Sequence, residues 1–140
     1  MRKQRGFTLI ELLVVIAIIG LLSTLAVVAL NNARQKSRDA RRVSDIKQIQ
    51  TALELNYNDA NSYPASLTFG TGAIAFGGTT YMAIIPNNPT PADGSCGSSV
   101  YVYATTDANS TYNITYCLGA ATGGLAANTH QATPAGIANP

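Results

Sequence analysis

The sequence predicts an α+β fold: one long N-terminal helix, its first half apolar and its second half amphipathic, set against a small antiparallel β-sheet. Three observations predict it. From Phe7 to Leu30 the chain is almost wholly apolar, with Glu11 its one charge. From 31 to 58 it holds no Gly or Pro and carries an apolar stripe at helical spacing. After Pro64 the composition turns to Gly, Thr, Ser, Ala and Asn, with short β-branched and aromatic runs.

The apolar half comes first. Leu12 to Leu30 is 19 uncharged residues. At the rise of an α-helix that is about 28 Å, close to the ~30 Å hydrocarbon thickness of a bilayer. A chain of 140 residues cannot surround such a helix with protein. An ordinary signal peptide has a shorter apolar region, with its small-residue cleavage site behind it. Here the small residue, Gly6, precedes the run.

In the second half Val43, Ile46, Ile49, Leu53 and Tyr57 recur every three or four positions and form one stripe. Arg41, Asp45, Lys47, Gln48 and Glu54 are assigned to the opposite, solvated face. The helix is expected to run from near Phe7 to near Asn58 and to end in Asn58-Asp59-Ala60-Asn61-Ser62-Tyr63-Pro64, a cluster of turn formers closed by a proline. The expected division is a leader at 1–6, an apolar helix at 7–30, an amphipathic half at 31–62 and a small β-rich domain with a C-terminal tail at 63–140.

Strands are expected at Thr79 to Ile85, Val100 to Thr106 and Tyr112 to Leu118, with a weaker one at Ala73 to Phe76. Asp107-Ala108-Asn109-Ser110 would join an antiparallel pair. Pro86 to Ser99, with three prolines and two glycines, reads as a loop. Gly119 to Pro140 shows no periodicity.

Charge distribution says more than the net +2. Arg2, Lys3 and Arg5 crowd the first six positions, and the other six Lys/Arg lie between 34 and 47. Loss of residues 1–6 would bring the side-chain total to −1, so the basic precursor is no argument for nucleic acid. Arg34, Arg38 and Arg42 fall at i, i+4 and i+8. No aromatic is interleaved, and Asp39 and Asp45 offer helical partners, so a solvated or subunit-facing basic stripe is expected rather than a nucleic-acid site. Asn87, Asn88, Asp93, Asp107 and Asn109 carry calcium-ligand oxygens, but turn chemistry explains them. No metal and no cofactor are expected. Asn109-Ser110-Thr111 and Asn113-Ile114-Thr115 fit the N-glycosylation pattern, which occurs often by chance. His130 is the one histidine, and there is no paired-carboxylate motif, phosphate loop or Cys/His metal spacing, so no catalytic residues are assigned. Cys96 and Cys117 suggest one disulfide in an oxidising compartment, with two free buried thiols as the alternative.

Gly6-Phe7-Thr8-Leu9-Ile10-Glu11-Leu12-Leu13, inside RGFTLIELLVVIAIIGLLSTLAVVAL, resembles the N-terminus of type IV prepilins and type II secretion pseudopilins. The resemblance is close over residues 1 to about 33 and looser from Asp45 to the Tyr63-Pro64 pair. It implies a pilin fold, cleavage by prepilin peptidase between Gly6 and Phe7, and N-methylation of the new Phe7 amine. It also implies that Arg2, Lys3 and Arg5 hold the leader in the cytoplasm, and that the helix loosens at Gly20 in the filament. Many relatives carry a proline in the stretch that here reads Ala26-Val27-Val28-Ala29-Leu30, and its absence at Val28 bears on how far the helix kinks. The partners implied are further copies of the chain in a helical homopolymer, prepilin peptidase, a pilus or secretion assembly platform, and inner-membrane lipid. The location implied is the inner membrane, single-pass, with the C-terminal domain outside the cytoplasm, and then an extracellular or periplasmic filament. A count of positive charges alone points the other way, five at positions 34–42 just beyond the apolar run against three before it; the leader and the cysteines decide the orientation.

A carboxylate in an apolar helix costs a few kcal/mol even on lenient scales. Glu11 therefore calls for a positive partner, and the Phe7 amine freed by cleavage lies one turn away in the same chain or equally near in a neighbour. The function expected is a structural filament subunit. The alternatives are a major pseudopilin of a secretion system, a membrane-anchored binding module that never polymerises, and an adhesin-like or DNA-binding tip subunit.

Overall fold

A computed structural model of the chain describes residues 6–97 and 100–138. The leader residues Arg2, Lys3 and Arg5 lie outside the described residues. The chain divides into two compact units, Met1–Arg34 and Gln35–Pro140.

Helix α1 spans Leu9–Ala60. It starts two residues later and ends two residues later than the sequence suggests. Its start is set by Thr8 and its end by Asn61, which adopts a left-handed φ of 52° while its N–H reaches Tyr57 O at 2.8 Å. Asn tolerates that conformation better than most residues, which suits it to a helix C-terminus. The helix runs unbroken through Gly20 and through Ala26 to Leu30.

In the first unit every large apolar side chain from Phe7 to Leu30 is exposed, the least of them Val15 at 44%. The hydroxyls within this stretch bond inside the helix: Ser23 donates to Ile19 O at 2.7 Å and Thr24 to Leu21 O at 2.8 Å. A window of this helix is long and apolar enough to cross a membrane.

In the second unit two sheets accompany the amphipathic part of α1. Strands β1 (Ile74–Phe76) and β2 (Thr79–Met82) form a hairpin whose turn residues, Gly77 and Gly78, both have positive φ. Strands β3 (Val102–Thr106), β4 (Thr111–Cys117), β5 (Thr129–Thr133) and β6 (Gly136–Ala138) form an antiparallel meander in that order. The β3–β4 pairing sets Thr105 opposite Tyr112 and Tyr103 opposite Ile114, and the turn at Asp107 to Ser110 lies where the sequence placed it. Within β4 alternate residues are buried, and Tyr112, Ile114 and Tyr116 point into the core. The helical stripe meets them there: Ile46, Ile49 and Leu53 are fully buried in one cluster with Ile74, Ile85, Tyr112, Ile114 and Leu118, and Val43 and Tyr57 pack at its edge. The result is the α+β pilin-like architecture.

Three expectations are corrected. The strand expected over Thr79 to Ile85 stops at Met82; the chain then turns so that Ile85 N–H can reach Gly72 O at 2.7 Å. The segment after Gly119 is not featureless but supplies β5 and β6. Its signal was hidden because the inward positions of β5 are His130 and Ala132, one polar and one small. His130 is therefore a buried residue, its Nε2 2.8 Å from Ala126 O and its Nδ1 3.3 Å from Ala138 O. The solvated face assigned to residues 41–54 is also incomplete, since Asp45 is buried and Glu54 half-buried. Tyr63 donates to Glu54 at 3.0 Å, and Tyr101 donates to Asp45 at 3.4 Å.

Candidate functional site

Two places in the chain concentrate chemistry: the start of α1 and a charged cluster on residues 38–42. At the helix start Gly6 and Phe7 are exposed and precede the first helical residue. Thr8 is the N-cap. The Glu11 carboxylate accepts from the Thr8 N–H at 2.8 Å and from the Thr8 hydroxyl at 2.8 Å, while the Thr8 Oγ1 accepts from the Glu11 N–H at 3.3 Å. This is a capping box, in which two helix-terminal N–H groups are satisfied reciprocally. The Glu also sits in the first turn, where the helix dipole favours negative charge. Glu11 is thus held by Thr8 within its own chain, a neutral partner in place of the positive one its charge calls for. The signal was present, because Thr-x-x-Glu directly before an apolar run is a helix-start pattern.

Cleavage between Gly6 and Phe7 would leave an amine on the residue before the cap. The geometry places Gly6, Phe7 and Glu11 together at one helix end. Gly20 lies nine residues after Glu11, within continuous helix, and a Cβ added there would meet nothing within 4 Å.

The second cluster corrects the expectation of a solvated or subunit-facing stripe in part: Arg34 is exposed and Arg38 half-buried, but Arg42 is not on the surface. Arg42 and Asp39 are both fully buried. Arg42 donates to Asp39 at 2.6 Å, Asp93 at 3.1 Å, Asn88 Oδ1 at 2.9 Å, Pro89 O at 2.8 Å and Pro91 O at 3.2 Å. Arg38 joins Asp93 through both carboxylate oxygens. Asp39 in turn accepts from the backbone N–H of Gly119 at 3.1 Å and of Ala120 at 2.9 Å. A buried charge is tolerated only when paired and fully hydrogen-bonded, and this guanidinium is. The cluster ties α1 to the loop after Ile85 and to the turn after β4. Those two segments touch directly: a Cβ on Gly94 would fall 2.4 Å from Gly119 O, and Gly94 has φ +59°. The Cys96–Cys117 disulfide joins the same two segments, with Cα atoms 5.8 Å apart.

Electrostatics follow these contacts. The hydrogen bond from Arg38 holds the Asp93 carboxyl below the usual carboxylate range, and Asp93 holds the Arg38 guanidinium above its own. Burial raises Asp45. Burial also pushes Tyr63 and Tyr116 up to about 12, and Tyr101, Tyr103 and Tyr112 higher still. Of the candidate calcium-ligand oxygens, those of Asp93 accept from two arginines and that of Asn88 accepts from Arg42. No group of three or more His, Cys, Asp or Glu among the described residues is placed to hold a metal.

An exposed apolar helix opened by a capped glutamate, carried by a small disulfide-bonded α+β unit, defines a class of membrane-anchored subunit. Residues 1–27 match the family described as "prokaryotic N-terminal methylation motif". The type II secretion system core protein G of Dickeya chrysanthemi is 34% identical over 103 residues, which are 66% of this chain and 67% of that protein. The core protein G of Pectobacterium carotovorum subsp. carotovorum is 42% identical over 64 residues, 46% of this chain and 41% of that protein. A fimbrial protein of Pseudomonas aeruginosa is 41% identical over 54 residues, 39% of this chain and 35% of that protein. The chain spans less than half the length of these last two relatives. No solved structure matches the chain. The chain belongs to the family of type IV pilins and type II secretion pseudopilins, whose members are structural subunits rather than enzymes.

Proposed function

We propose that this chain is trimmed between Gly6 and Phe7 by a prepilin peptidase, methylated on the Phe7 amine, and polymerised through its apolar helix into a type IV pilus-like filament. The observation that carries the proposal is the helix start. Glu11 is the one charge among exposed apolar residues, it sits in the first turn of the helix, and cleavage frees an amine beside it. In the membrane the Thr8 cap accommodates the carboxylate. In the filament, desolvation favours pairing it with a neighbour's Phe7 amine. Residues 1–6 act as leader, 7–30 as membrane anchor and filament core, 31–62 as the amphipathic half and 63–140 as the exported domain. Gly20 is the point at which the core helix loosens. A secretion pseudopilus is favoured over a surface pilus by one observation. The match to a secretion core protein extends over 103 residues, and that to the fimbrial protein over 54.

Intact-mass analysis of the protein from its native host tests the processing step. The expected species begins at a methylated Phe7. A mature protein that retains Gly6 overturns it.

A further inference from the structure

The charges of the second unit are divided between its two ends. Between Gln35 and Lys47 there are five Lys/Arg, against Asp39 and Asp45. Beyond Lys47 the chain has Glu54, Asp59, Asp93 and Asp107 and no Lys or Arg. Asp93 folds back onto Arg38 and Arg42. What remains at the basic end is exposed Lys36, Arg41 and Lys47. Arg41 is 70% exposed and only loosely engaged, 3.8 Å from Asp45. It borders an open polar cleft with Ser37, Arg38, Asn87, Asn88 and Thr90.

The opposite end is acidic. Exposed Asp59 lies in the last turn of α1, which has no basic residue to offset the partial negative charge of the helix terminus; its Oδ2 accepts from the Tyr81 hydroxyl, a neutral partner that leaves the charge of the carboxylate in place. Asp107 joins it there, because its turn is fixed to the helix end by the bond from Tyr63 N–H to Asn109 O at 2.8 Å. Eighteen residues of helix separate Arg41 from Asp59, about 27 Å. That is over three Debye lengths at physiological salt, so the two ends do not neutralise each other within one subunit.

We infer that the cleft beside Arg41 receives the acidic end of a second copy of this chain, the Asp59 and Asp107 pole of one subunit lying against the Arg41 pole of the next. The occupant is a second copy because the acidic end supplies what the cleft lacks, and because a repeating head-to-tail contact satisfies every pole but the last two. The inference rests on the filament reading. It adds a contact between the exported units that the apolar helix does not provide.

Charge reversal in the full chain, as the sole chromosomal copy in the native host, tests it. Asp59→Lys places a cation at a helix C-terminus, which the helix dipole favours, and removes the acceptor of the Tyr81 hydroxyl; Tyr81→Phe, which breaks that bond and keeps the Asp59 charge, is the control and should leave filament yield at the wild-type level. Asp59→Lys and Arg41→Glu are each expected to cut the sheared filament yield about tenfold, and the double variant to restore it to within about twofold of wild type. The milder Arg41→Gln should fall between, and all variants should keep the Cys96–Cys117 bridge. Wild-type filaments alongside single variants of undiminished yield overturn the pole contact while leaving the filament reading intact. A double variant no better than either single one also overturns it. Absence of filaments from the unaltered chain overturns both.

Discussion

Arg42 and Arg41 are neighbours in sequence with opposite fates, and replacing each by methionine separates them. Arg42→Met keeps a long, flexible, helix-compatible stem and removes the guanidinium. Asp39 then loses its ion pair while still fully buried, and Asn88 Oδ1, Pro89 O and Pro91 O lose a donor. Removing one partner of a buried pair costs about 3–5 kcal/mol. That is a large part of the 5–15 kcal/mol that holds a typical domain folded. In a unit of this size 1 kcal/mol shifts the melting temperature by about 4 °C or more, so Arg42→Met should lower it by more than about 12 °C. Arg41→Met removes a side chain that is 70% exposed, and its effect should stay within about 0.5 kcal/mol. The assay is thermal unfolding of the detergent-solubilised full chain by near-UV circular dichroism. Its signal comes from tyrosines, of which Tyr101, Tyr112 and Tyr116 are buried in this unit. Equal melting temperatures for the two variants would refute the burial argument.

Acid and reduction give two further outcomes. The Asp93 carboxyl titrates below its unfolded value because Arg38 donates to it, so its contribution is present above about pH 4 and is lost as the pH falls through its folded value. Urea midpoints should therefore drop below about pH 4 in wild type, and less steeply in Asp93→Asn, whose midpoint should already be lower at neutral pH. Asp45 shifts the opposite way by burial, so Asp45→Asn should raise the neutral-pH midpoint slightly. Equal acid slopes in wild type and Asp93→Asn would count against the Arg38 contact. Reduction of Cys96–Cys117 opens a loop with a sequence separation of 21 and should cost about 3 kcal/mol through loop entropy, read as a lower urea midpoint; free thiols on non-reducing peptide mapping of native protein would contradict the bridge.

Much of the fold was legible because it depends on local rules. A stretch without Gly or Pro, an apolar stripe at helical spacing and an Asn-rich end specify α1 within two residues. The β-branched and tyrosine-rich runs gave the β3–β4 hairpin and its turn. The charged cluster was not legible, for a definite reason. Helical spacing puts Arg34, Arg38 and Arg42 in one row and says nothing about Asp93, 51 residues after Arg42, or about the Gly119 and Ala120 amides some 80 residues after Asp39. Once the Pro-rich loop and the turn after β4 close over the helix, a row of exposed charges becomes a buried network. Strands β5 and β6 escaped because they bury small and polar residues in place of large apolar ones. At the helix start Gly6, Phe7 and Glu11 could be picked out from sequence. The reciprocal bonds of Thr8 are not legible from charge alone, because the carboxylate is held by a neutral amide and hydroxyl and not by a cation.

That neutral partner sharpens the most direct test of the filament account, which is the comparison of Glu11→Gln with Glu11→Leu as sole copies. Gln keeps an acceptor for the Thr8 cap and loses the charge; Leu loses both. If Glu11 matters only as a cap, Gln should assemble like wild type. If it pairs with a neighbour's Phe7 amine in an apolar core, both variants leave that amine uncompensated, at about 3–5 kcal/mol or a hundredfold and more at every subunit addition. Membrane fractionation, intact mass, and shearing followed by electron microscopy read the outcome. Both variants should enter the membrane, lose residues 1–6 and yield few filaments. Normal filament yield from either variant would contradict the pairing.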